Sequence, residues 1–348
     1  MDLGRNNLRG SIPKSLGNCS DIYFLQAVEN QLSGVIPREL GMLPGLQILT
    51  LGRNSFTGDV LSFLLNCTQL QSLGLELNRF MGSIPAEIGL KLTNLQEIDI
   101  GGNQFSGRIP KSLANCTQLS LVALYKNQLI GVVPQELGML AALQSLSLQE
   151  NSLSSGKCGA ICVLDVLSNC SILEELNLSF NKFSGTLSRG IGNLSRRLSI
   201  LFLDNNNNIT GNIPEEIGNL TALTQLTLAG NNVTGEIPSA LGRLNNLQAL
   251  DLSFNKLKGS IPPESNKLVN LEYLYLDQNH ISGDIPSSIG SLKQLRQIGL
   301  SYNKLTGRIP KAIGKCFRLE MIDISYNRIP REESDGSDSE LKYLSTDS

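Results

Sequence analysis

The feature that most constrains this chain is a motif of the form L-x-L-x-x-N-x-L-x-G-x-I-P, which recurs along most of its 348 residues. The motif asparagine returns at a near-constant step of 24 residues, interrupted by steps of 25, 30 and 26. Its positions are Asn6, Asn30, Asn54, Asn78, Asn103, Asn127, Asn151, Asn181, Asn207, Asn231, Asn255, Asn279, Asn303 and Asn327. Such a period predicts units that cannot bury their apolar face alone and therefore stack into a solenoid.

Each unit contains a short strand and a buried polar residue. In Leu274-Tyr275-Leu276, the leucines alternate with an outward position, which is the pattern of a strand with one buried face. The motif asparagine turns inward, where its amide is expected to bond the backbone of its own and the next loop, because an unpaired buried group costs about 1–3 kcal/mol. We therefore predict an α/β repeat solenoid: a right-handed leucine-rich-repeat superhelix with a concave parallel β-sheet and about 13–14 repeats of 24 residues.

Glycine and proline punctuate the unit after its asparagine. Glycine follows four residues later in most registers and permits a tight turn with positive φ as the chain leaves the strand. Ile-Pro or Val-Pro comes next, as at Ile285-Pro286, and proline suits an edge-like segment followed by a short helical turn on the outer face.

The combination of G-x-I-P with a 24-residue period resembles the plant-type extracellular leucine-rich repeat over residues 1–330. Receptor kinases, receptor-like proteins and secreted inhibitors of polygalacturonases use this repeat. The irregular repeats at 151–210 are similar in order to those of plant pattern-recognition receptor kinases, with Leu167-Ser168-Asn169-Cys170-Ser171 as the clearest match. The preceding insert, Lys157 to Cys162, departs from the aromatic-containing insert of that subfamily.

The composition excludes several function classes. With 29 basic and 31 acidic residues, the chain lacks the concentrated positive charge that nucleic-acid binding requires. No apolar run is long enough for a transmembrane helix, so we predict no direct membrane insertion by this chain, and its amino terminus lacks the features of a signal peptide.

We divide the sequence into a repeat domain, residues 1–330, and an acidic tail, residues 331–348. The tail holds six acidic and two basic residues and reads as disordered. The resemblance implies cysteine-paired caps at both ends of the repeats, and neither is present in this sequence, so we interpret the chain as a fragment or a truncated product.

Nine N-x-S/T sequons occur, and most of them fall on the predicted outer turn. We predict glycosylation of eight if the product is secreted: Asn18, Asn66, Asn115, Asn169, Asn193, Asn208, Asn219 and Asn232. The ninth, Asn177, lies on the inner sheet, where we expect poor use. The alternative interpretation is that N-C-T and N-L-T merely belong to the repeat consensus.

Neither the cysteines nor the histidine indicates catalysis or a metal. Five cysteines sit at one register of the helical turn and are interpreted as small buried hydrophobes: Cys19, Cys67, Cys116, Cys170 and Cys316. Cys158 and Cys162 are the candidates for a local disulfide. With a single histidine, His280, and no nucleophile motif, we predict no enzyme activity, no catalytic residues, no cofactor and no metal site.

The outward positions of the inner sheet are the default binding surface of a solenoid. They hold no Lys or Arg but nine acids, while bases flank the motif asparagine. Exposed aromatics on this face are less easily explained by consensus. The predicted ligand-binding residues are Tyr125, Phe202, Asp204, Tyr273, Tyr275 and Asp277. Phe180, Phe254, Tyr302 and Tyr326 directly precede a motif asparagine, where an aromatic residue is usual, and are assigned a structural role.

These observations favour a protein- or peptide-binding module, the ligand-recognition ectodomain of a plant leucine-rich-repeat receptor kinase in signalling or defence. The resemblance implies a location on the extracellular face of the plasma membrane as part of a full-length receptor. It also implies a co-receptor leucine-rich-repeat kinase near the C-terminal repeats. The alternatives are a secreted inhibitor of cell-wall-degrading enzymes and a non-secreted scaffold or decoy.

Overall fold

A computed structural model describes residues 1–157 and 161–330. The described chain divides into two compact units. The first contains Met1–Lys157 and Cys162–Lys182, and the second contains the described parts of Cys158–Ile161 and Phe183–Ser348. Each unit is a stack of leucine-rich repeats, which confirms the predicted solenoid fold class.

The L-x-L segments form a parallel sheet in each unit, here called the main sheet, with strands numbered along the chain. In the first unit these strands are β2 (Phe24–Gln26), β4 (Ile48–Thr50), β6 (Ser72–Gly74), β8 (Glu97–Asp99), β10 (Leu121–Ala123), β12 (Ser145–Ser147) and β14 (Glu175–Asn177). In the second unit they are β16 (Ile200–Phe202), β18 (Gln225–Thr227), β20 (Ala249–Asp251), β21 (Tyr273–Tyr275), β23 (Gln297–Gly299) and β25 (Met321–Asp323).

The strand register follows the repeat period. Leu250 pairs with Leu274, and Leu274 pairs with Ile298, so equivalent residues of successive repeats lie side by side. In most of these strands the central residue is buried and its two neighbours are at least partly exposed, as at Tyr273 and Tyr275 around the buried Leu274. Where the third residue is small, as at Gly74, Ala123 and Gly299, it is buried as well. The alternation read from the sequence therefore gives the main sheet one buried and one accessible face.

A second set of short strands, the secondary sheets, was not predicted from the sequence. In the first unit it runs through β1 (Arg9–Gly10), β3 (Gln31–Val35), β5 (Ser55–Gly58), β7 (Arg79–Ser83), β9 (Gln104–Gly107), β11 (Gln128–Val132) and β13 (Ser152–Ser154). In the second unit it comprises β15 (Ser184–Thr186), β17 (Asn208–Asn212) and β19 (Asn232–Thr234), and separately β22 (Ser282–Asp284) and β24 (Lys304–Thr306). The motif glycine often lies within these strands with a positive φ, for example 85° at Gly10, and not in a turn before them.

The outer side of most repeats is one short 3-10 turn, which proline usually precedes with φ near −70°, as at Pro310. The 3-10 turns are Lys14–Asn18, Arg38–Met42, Lys111–Asn115, Gln135–Met139, Arg189–Asn193, Glu215–Asn219, Ser239–Arg243, Pro263–Lys267, Ser287–Ser291 and Lys311–Lys315. Three repeats replace it with an α-helical turn: α1 (Leu61–Leu64), α2 (Ile88–Lys91) and α3 (Cys162–Leu167).

The motif asparagines form a hydrogen-bonded ladder. Asn279 Nδ2 donates to the carbonyls of Leu276 and Asp277 in its own repeat, at 3.1 Å each, and to that of Leu252 at 2.9 Å. Its Oδ1 accepts from the Leu257 backbone N–H at 3.0 Å. The ladder therefore links each repeat to the preceding one, which corrects the expected link to the next loop.

The irregular repeat requires a further correction. The ladder residue there is Asn206, which is buried and accepts from the Phe183 N–H at 3.1 Å, whereas Asn207 is exposed with φ of 62°. The ladder steps around this point are thus 25 and 25 residues. One extra residue leaves a buried acceptor, Asn231 Oδ1, without a hydrogen bond within the described residues.

The core is leucine-rich. Three phenylalanines two residues beyond the ladder stack on one another, with ring centroids 6.1 Å apart for Phe56 and Phe80 and 6.5 Å for Phe80 and Phe105. Buried thiols cap backbone carbonyls, and Cys116 Sγ lies 3.1 Å from the Leu92 carbonyl oxygen.

The five turn cysteines match their predicted role with one exception. Burial raises the pKa of the Cys67, Cys116 and Cys170 thiols to about 11, and Cys316 is also buried. Cys19 is exposed, so its assignment as a buried hydrophobe was wrong. Among residues 1–157 and 161–330, no helix has the length and apolar character to cross a bilayer. The predicted acidic tail, 331–348, lies outside the described residues.

Candidate functional site

Strand β21 presents two tyrosines on the accessible face of the second unit's main sheet. Tyr273 and Tyr275 flank the buried Leu274, and both rings are partly exposed. The Tyr275 hydroxyl donates to Gln297 Oε1 on β23 at 2.5 Å, which fixes the ring across the strand pair. The structure therefore places these two predicted residues together on one rigid element.

Asp277 completes this cluster by reaching across to the next repeat. Its Oδ1 accepts from the backbone N–H of Ser301 at 2.8 Å and from the Ser301 hydroxyl at 2.9 Å. Its Oδ2 lies over Gly299, where a Cβ would come within 2.1 Å of it. Gly299 was missed by the sequence reading, although a glycine at an outward strand position is itself a signal of close approach.

Neighbouring aspartates are held differently. Asp251 accepts from the N–H and hydroxyl of Ser253, two residues ahead, at 2.9 and 2.6 Å, and Asp323 bonds Ser325 in the same way at 3.0 and 2.7 Å. The residue two positions after Asp277 is the ladder asparagine Asn279 and not a serine. The Asp277 carboxylate accepts from Ser301 of the next repeat instead. Hydroxyls and backbone amides hold these three carboxylates, and none of them forms an ion pair with a residue that the structure describes.

Phe202 and Asp204 lie on the same face but farther along the sheet. The register runs from Phe202 through Thr227 and Asp251 to Tyr275, which places Phe202 three strands away, or about 14 Å. Asp204 Oδ2 accepts from Asn205 Nδ2 at 2.9 Å. These two residues share a row with the tyrosine cluster and do not contact it directly.

Tyr125 belongs to the first unit. Its ring lies against Gly101, where a Cβ would come within 2.2 Å of the ring. Burial and the carboxylates of Asp99 and Glu76 raise the pKa of the Tyr125 hydroxyl. The structure therefore separates this predicted residue from the other five and gives it acidic neighbours of its own.

Two carboxyl groups near the tyrosine cluster are partly buried, and this affects their ionisation. Burial raises the pKa of Asp277 and Asp251 even though serine hydrogen bonds act in the opposite direction. Burial is also the main reason that the pKa of Tyr275 is raised, and the charge of Asp251 adds to it. A cation placed on this face would relieve both effects, because an opposite charge favours the ionised carboxylate.

Four aromatic residues assigned a structural role are exposed instead. Phe180, Phe254, Tyr302 and Tyr326 all have φ between 51° and 53°, and their side chains point to solvent, with Phe254 59% exposed. Tyr302 and Tyr326 stack with centroids 4.1 Å apart. Their assignment to a structural role rests on the consensus before the motif asparagine and stays a prediction. The stacking of the two tyrosines was not predicted, although the last two repeats carry tyrosine at the same register.

The sequons fall into two geometric classes. Six of the eight predicted glycosylation sites are exposed at or beside the end of an outer turn: Asn18, Asn66, Asn115, Asn169, Asn193 and Asn219. Asn208 and Asn232 instead begin strands β17 and β19 of a secondary sheet. The Asn232 side-chain amide donates to the Asn207 carbonyl, so the nitrogen that would carry a glycan is already hydrogen-bonded. Asn177 lies on β14 of the main sheet, as expected.

The remaining predicted features define no reactive centre. Cys162 begins helix α3, and its suggested disulfide partner, Cys158, lies outside the described residues, so the pairing stays a prediction. His280 is exposed, with Nδ1 3.1 Å from the Asn279 carbonyl oxygen. Within the described ranges, no three His, Cys, Asp or Glu side chains are arranged to hold a metal ion.

Family models and solved structures agree on the class of protein that this architecture defines. The model described as "Leucine-rich repeat region" matches residues 194–342, and that described as "Leucine Rich Repeat" matches residues 94–116 and 172–194. A leucine-rich-repeat protein from Leptospira interrogans superposes with a TM-score of 0.76 and 30% identity, covering 94% of this chain and 78% of that one. The chain belongs to the leucine-rich-repeat family.

More specific likeness is to plant receptor kinases. The receptor-like kinase EFR of Arabidopsis thaliana is 39% identical over 83 residues, 24% of this chain and 8% of that protein. The receptor kinase-like protein Xa21 of Oryza sativa subsp. japonica is 50% identical over 62 residues, 18% of this chain and 6% of that protein. The matches thus span less than a tenth of these relatives.

A solved plant ectodomain extends the likeness to almost the whole chain. The ectodomain of the receptor kinase GASSHO1/SCHENGEN3 from Arabidopsis thaliana, in complex with Casparian strip integrity factor 2, has a TM-score of 0.74 and 32% identity. The alignment covers 94% of this chain and 44% of that one. The chain resembles the ligand-binding ectodomains of plant leucine-rich-repeat receptor kinases.

Proposed function

We propose that the chain is the ligand-recognition part of a plant receptor kinase in signalling or defence, and that it binds a peptide or a protein segment on the main sheet of its second unit. The observation that carries this proposal is the cluster of Tyr273, Tyr275 and Asp277, which projects from one rigid strand and its following turn. Aromatic side chains with few rotatable bonds are the residue type that most often anchors an interface. Phe202 and Asp204 extend the same surface.

The electrostatics of the cluster select the ligand. Asp251, Asp277 and Asp323 supply carboxylates without a paired cation in the described chain, and burial opposes the ionised form of the first two. A lysine or arginine of the ligand would stabilise these charges, and an adjacent apolar or aromatic side chain would pack on the tyrosines. We therefore propose a ligand that combines one basic and one aromatic residue.

Tyr125 is a second contact candidate, on the first unit. Because Glu76 and Asp99 lie near its ring, the same chemistry of basic and aromatic groups would suit it. Its contribution is proposed independently of the second unit.

The proposal is tested by passing a pooled library of synthetic peptides, each with one arginine and one tryptophan, over the immobilised full chain. Dissociation constants of retained peptides are then measured for Tyr275→Ala and Asp277→Asn. Each change should weaken binding by about tenfold or more, as expected for anchor residues. Retention of no peptide would count against a main-sheet ligand site. So would variants that bind the retained peptides as tightly as the parent chain does.

We further propose that the native product faces the cell exterior as part of a membrane receptor and carries N-linked glycans on its outer turns. The exposed sequons at Asn115 and Asn219 support this, since each ends a 3-10 turn. Expression through a plant secretory pathway should give one glycan on each, removed by Asn→Gln substitution and seen as a mass loss. Asn177→Gln and Asn232→Gln should change the mass little. Absence of glycan at both outer sites would contradict the proposal.

A co-receptor kinase that docks near the C-terminal repeats is the partner implied by the family resemblance. The outer turns after Asn232 carry no sequon, so a partner would meet no glycan there. Loss of ligand-dependent association on adding a sequon at Lys267 (Val269→Thr with Lys267→Asn) would locate this contact, and unchanged association would exclude it from that turn.

A further inference from the structure

Two columns of exposed side chains run along the last four repeats, on either side of the asparagine ladder. The residue before each ladder asparagine is Phe254, Gln278, Tyr302 or Tyr326, and the residue after it is Lys256, His280, Lys304 or Arg328. Backbone hydrogen bonds to the neighbouring repeat hold both columns in register. Successive members therefore lie about one strand spacing, ~4.8 Å, apart.

These columns border an open groove in the second unit. The groove has a volume of about 490 Å³ and is lined by Asn255, Lys256, Gln278, Asn279, His280, Tyr302, Asn303 and Tyr326. No carboxylate is among these lining residues. None of Lys256, His280, Lys304 and Arg328 forms an ion pair with any residue that the structure describes.

The stacked rings of Tyr302 and Tyr326 form one side of the groove. Tyr326 covers one face of the Tyr302 ring at a centroid distance of 4.1 Å and an interplanar angle of 12°. On its other side, Tyr302 is preceded in the column by Gln278, an unbranched and flexible side chain instead of a second ring. A planar side chain of a ligand would reach that face of Tyr302 by displacing Gln278, and Lys256 and His280 lie on the same groove lining.

We propose that this groove is a second binding site, which takes an acidic, extended segment of a partner protein. Its carboxylates would lie along Lys256, His280, Lys304 and Arg328, and one aromatic side chain would stack on Tyr302. The four cations span about 14 Å, a length over which an extended chain presents about three side chains on one face, so two or three carboxylates of the segment would lie within reach of the row. The site is separate from the main-sheet cluster and has the opposite charge, so the inference does not depend on the ligand proposed there.

An acidic peptide is favoured over other polyanions by the composition of the groove. Nucleic acid is disfavoured because the chain as a whole has a net charge of −2. An acidic polysaccharide would need several free ring faces, whereas mutual stacking leaves Tyr302 and Tyr326 only their outer faces. One free ring beside a row of cations suits one aromatic residue within an acidic segment.

The test uses a fluorescent peptide of alternating glutamate and tyrosine and measures its anisotropy with the full chain. The double variant Lys256→Gln/Lys304→Gln should bind about tenfold more weakly, since each exposed charge contributes a modest amount. Tyr302→Asn should weaken binding about fivefold. Asparagine is chosen because it tolerates the left-handed backbone that Tyr302 adopts, with φ of 51°.

Matched controls come from the first unit. Phe180 and Lys182 flank Asn181 at the same registers, but no second aromatic or basic residue adjoins them in the neighbouring repeat, which carries Glu150 and Ser152. Phe180→Asn and Lys182→Gln should leave binding within twofold of the parent. Tyr275→Ala should do the same, which separates this site from the main-sheet proposal. Melting curves of all variants confirm that they fold.

Four results would overturn the proposal. A peptide with glutamine in place of glutamate that binds equally well would remove the role of charge. Equal binding by the groove variants and the controls would place the peptide elsewhere. Tighter, groove-dependent binding of an oligogalacturonate would identify a polysaccharide site. A more than tenfold gain in probe affinity on neutralising the six acids of residues 331–348 would show that the chain's own segment fills the groove.

Discussion

The main sheets of the two units carry similar surpluses of carboxylates but neutralise them in different ways. In the first unit, Arg53 lies among the acids, with its Nε 3.5 Å from Glu29. Burial raises the pKa of Glu76 and Asp99, and the charge of Arg53 acts in the opposite direction without outweighing it. In the second unit, serine hydroxyls and backbone amides hold Asp251 and Asp277. The first unit thus brings a cation near its acids, whereas no described basic residue forms an ion pair with Asp251 or Asp277 in the second unit.

Charge counts alone therefore do not locate a binding surface. Both faces are acidic and both include tyrosine, yet only the second combines two tyrosines on one strand with carboxylates that lack a cation in the described chain. The side chain that lies against a glycine also differs between the units. In the first unit the Tyr125 ring lies against Gly101, and in the second the Asp277 carboxylate lies against Gly299.

The largest expected effect concerns what the two faces share, the asparagine ladder. Asn103→Ala in the first unit and Asn279→Ala in the second should each reduce the free energy of unfolding by about 3 kcal/mol, because three carbonyls and one N–H lose their partner in a buried setting. Urea denaturation measures the loss. The exposed Asn207→Gly is the control, because glycine adopts the left-handed backbone of this position, with φ of 62°, and it should change stability by less than about 0.5 kcal/mol. Equal losses at Asn207 and Asn279 would refute the ladder assignment.

A smaller effect is expected where the two faces differ. Arg53→Gln removes the cation that the first unit supplies to its acids, so stability at neutral pH should fall by about 0.5 kcal/mol, a small value because the ion pair is exposed. Acidification should restore it as Glu76 and Asp99 take up protons. Arg79→Gln, on a secondary strand and without an ion pair in the described chain, is the control. An unchanged Arg53→Gln protein would show that the first unit does not depend on this charge.

The smallest effect is a difference in pH dependence between aspartates. Burial raises the folded-state pKa of Asp99 and Asp277, so on acidification the folded state takes up protons before the unfolded state does. The ionised carboxylates reduce the free energy of unfolding at neutral pH. This loss is relieved as the pH falls through the folded pKa toward the unfolded value of about 3.9. Asp99→Asn and Asp277→Asn should therefore flatten the gain in stability on acidification.

Asp323 should behave in the opposite way. Burial acts to raise its pKa, but the hydrogen bonds from Ser325 outweigh burial and lower the pKa overall. Its stabilising contribution is present above the unfolded pKa and is lost as pH falls through the folded pKa. Denaturation midpoints of Asp323→Asn across acidic pH check this. A shift of the same sign as for Asp277→Asn would contradict the assignment of the serine hydrogen bonds.

Much of this fold could be predicted from the sequence because every repeat carries the same pattern of buried and exposed positions. The period gave the strand register, and the alternation around Leu274 gave the accessible face. The secondary sheets were not predicted, since their strands are short and contain the glycine that was read as a turn. The extra residue near Asn207 was misplaced because four consecutive asparagines give no pattern with which to choose the ladder residue.

The candidate site was only partly accessible. The sequence selected Tyr273, Tyr275 and Asp277 as candidate contacts because they alternate along one segment, and their role as ligand contacts stays a prediction. It did not show that Asp277 turns to Ser301, which depends on a contact between repeats. The stacking of Tyr302 on Tyr326 was not predicted for a similar reason, because it joins two repeats and each tyrosine on its own fits the usual pattern before a motif asparagine.

The central claim is that the second unit's main sheet, and not the acidic surplus in general, binds the ligand. The most direct measurement compares the affinity of a retained basic and aromatic peptide for the parent chain with its affinity for Tyr275→Ala and for Glu76→Gln. We expect a loss of about tenfold or more for Tyr275→Ala and less than twofold for Glu76→Gln, because Glu76 already lies near Arg53. Similar losses for both variants, or a loss confined to Glu76→Gln, would contradict it.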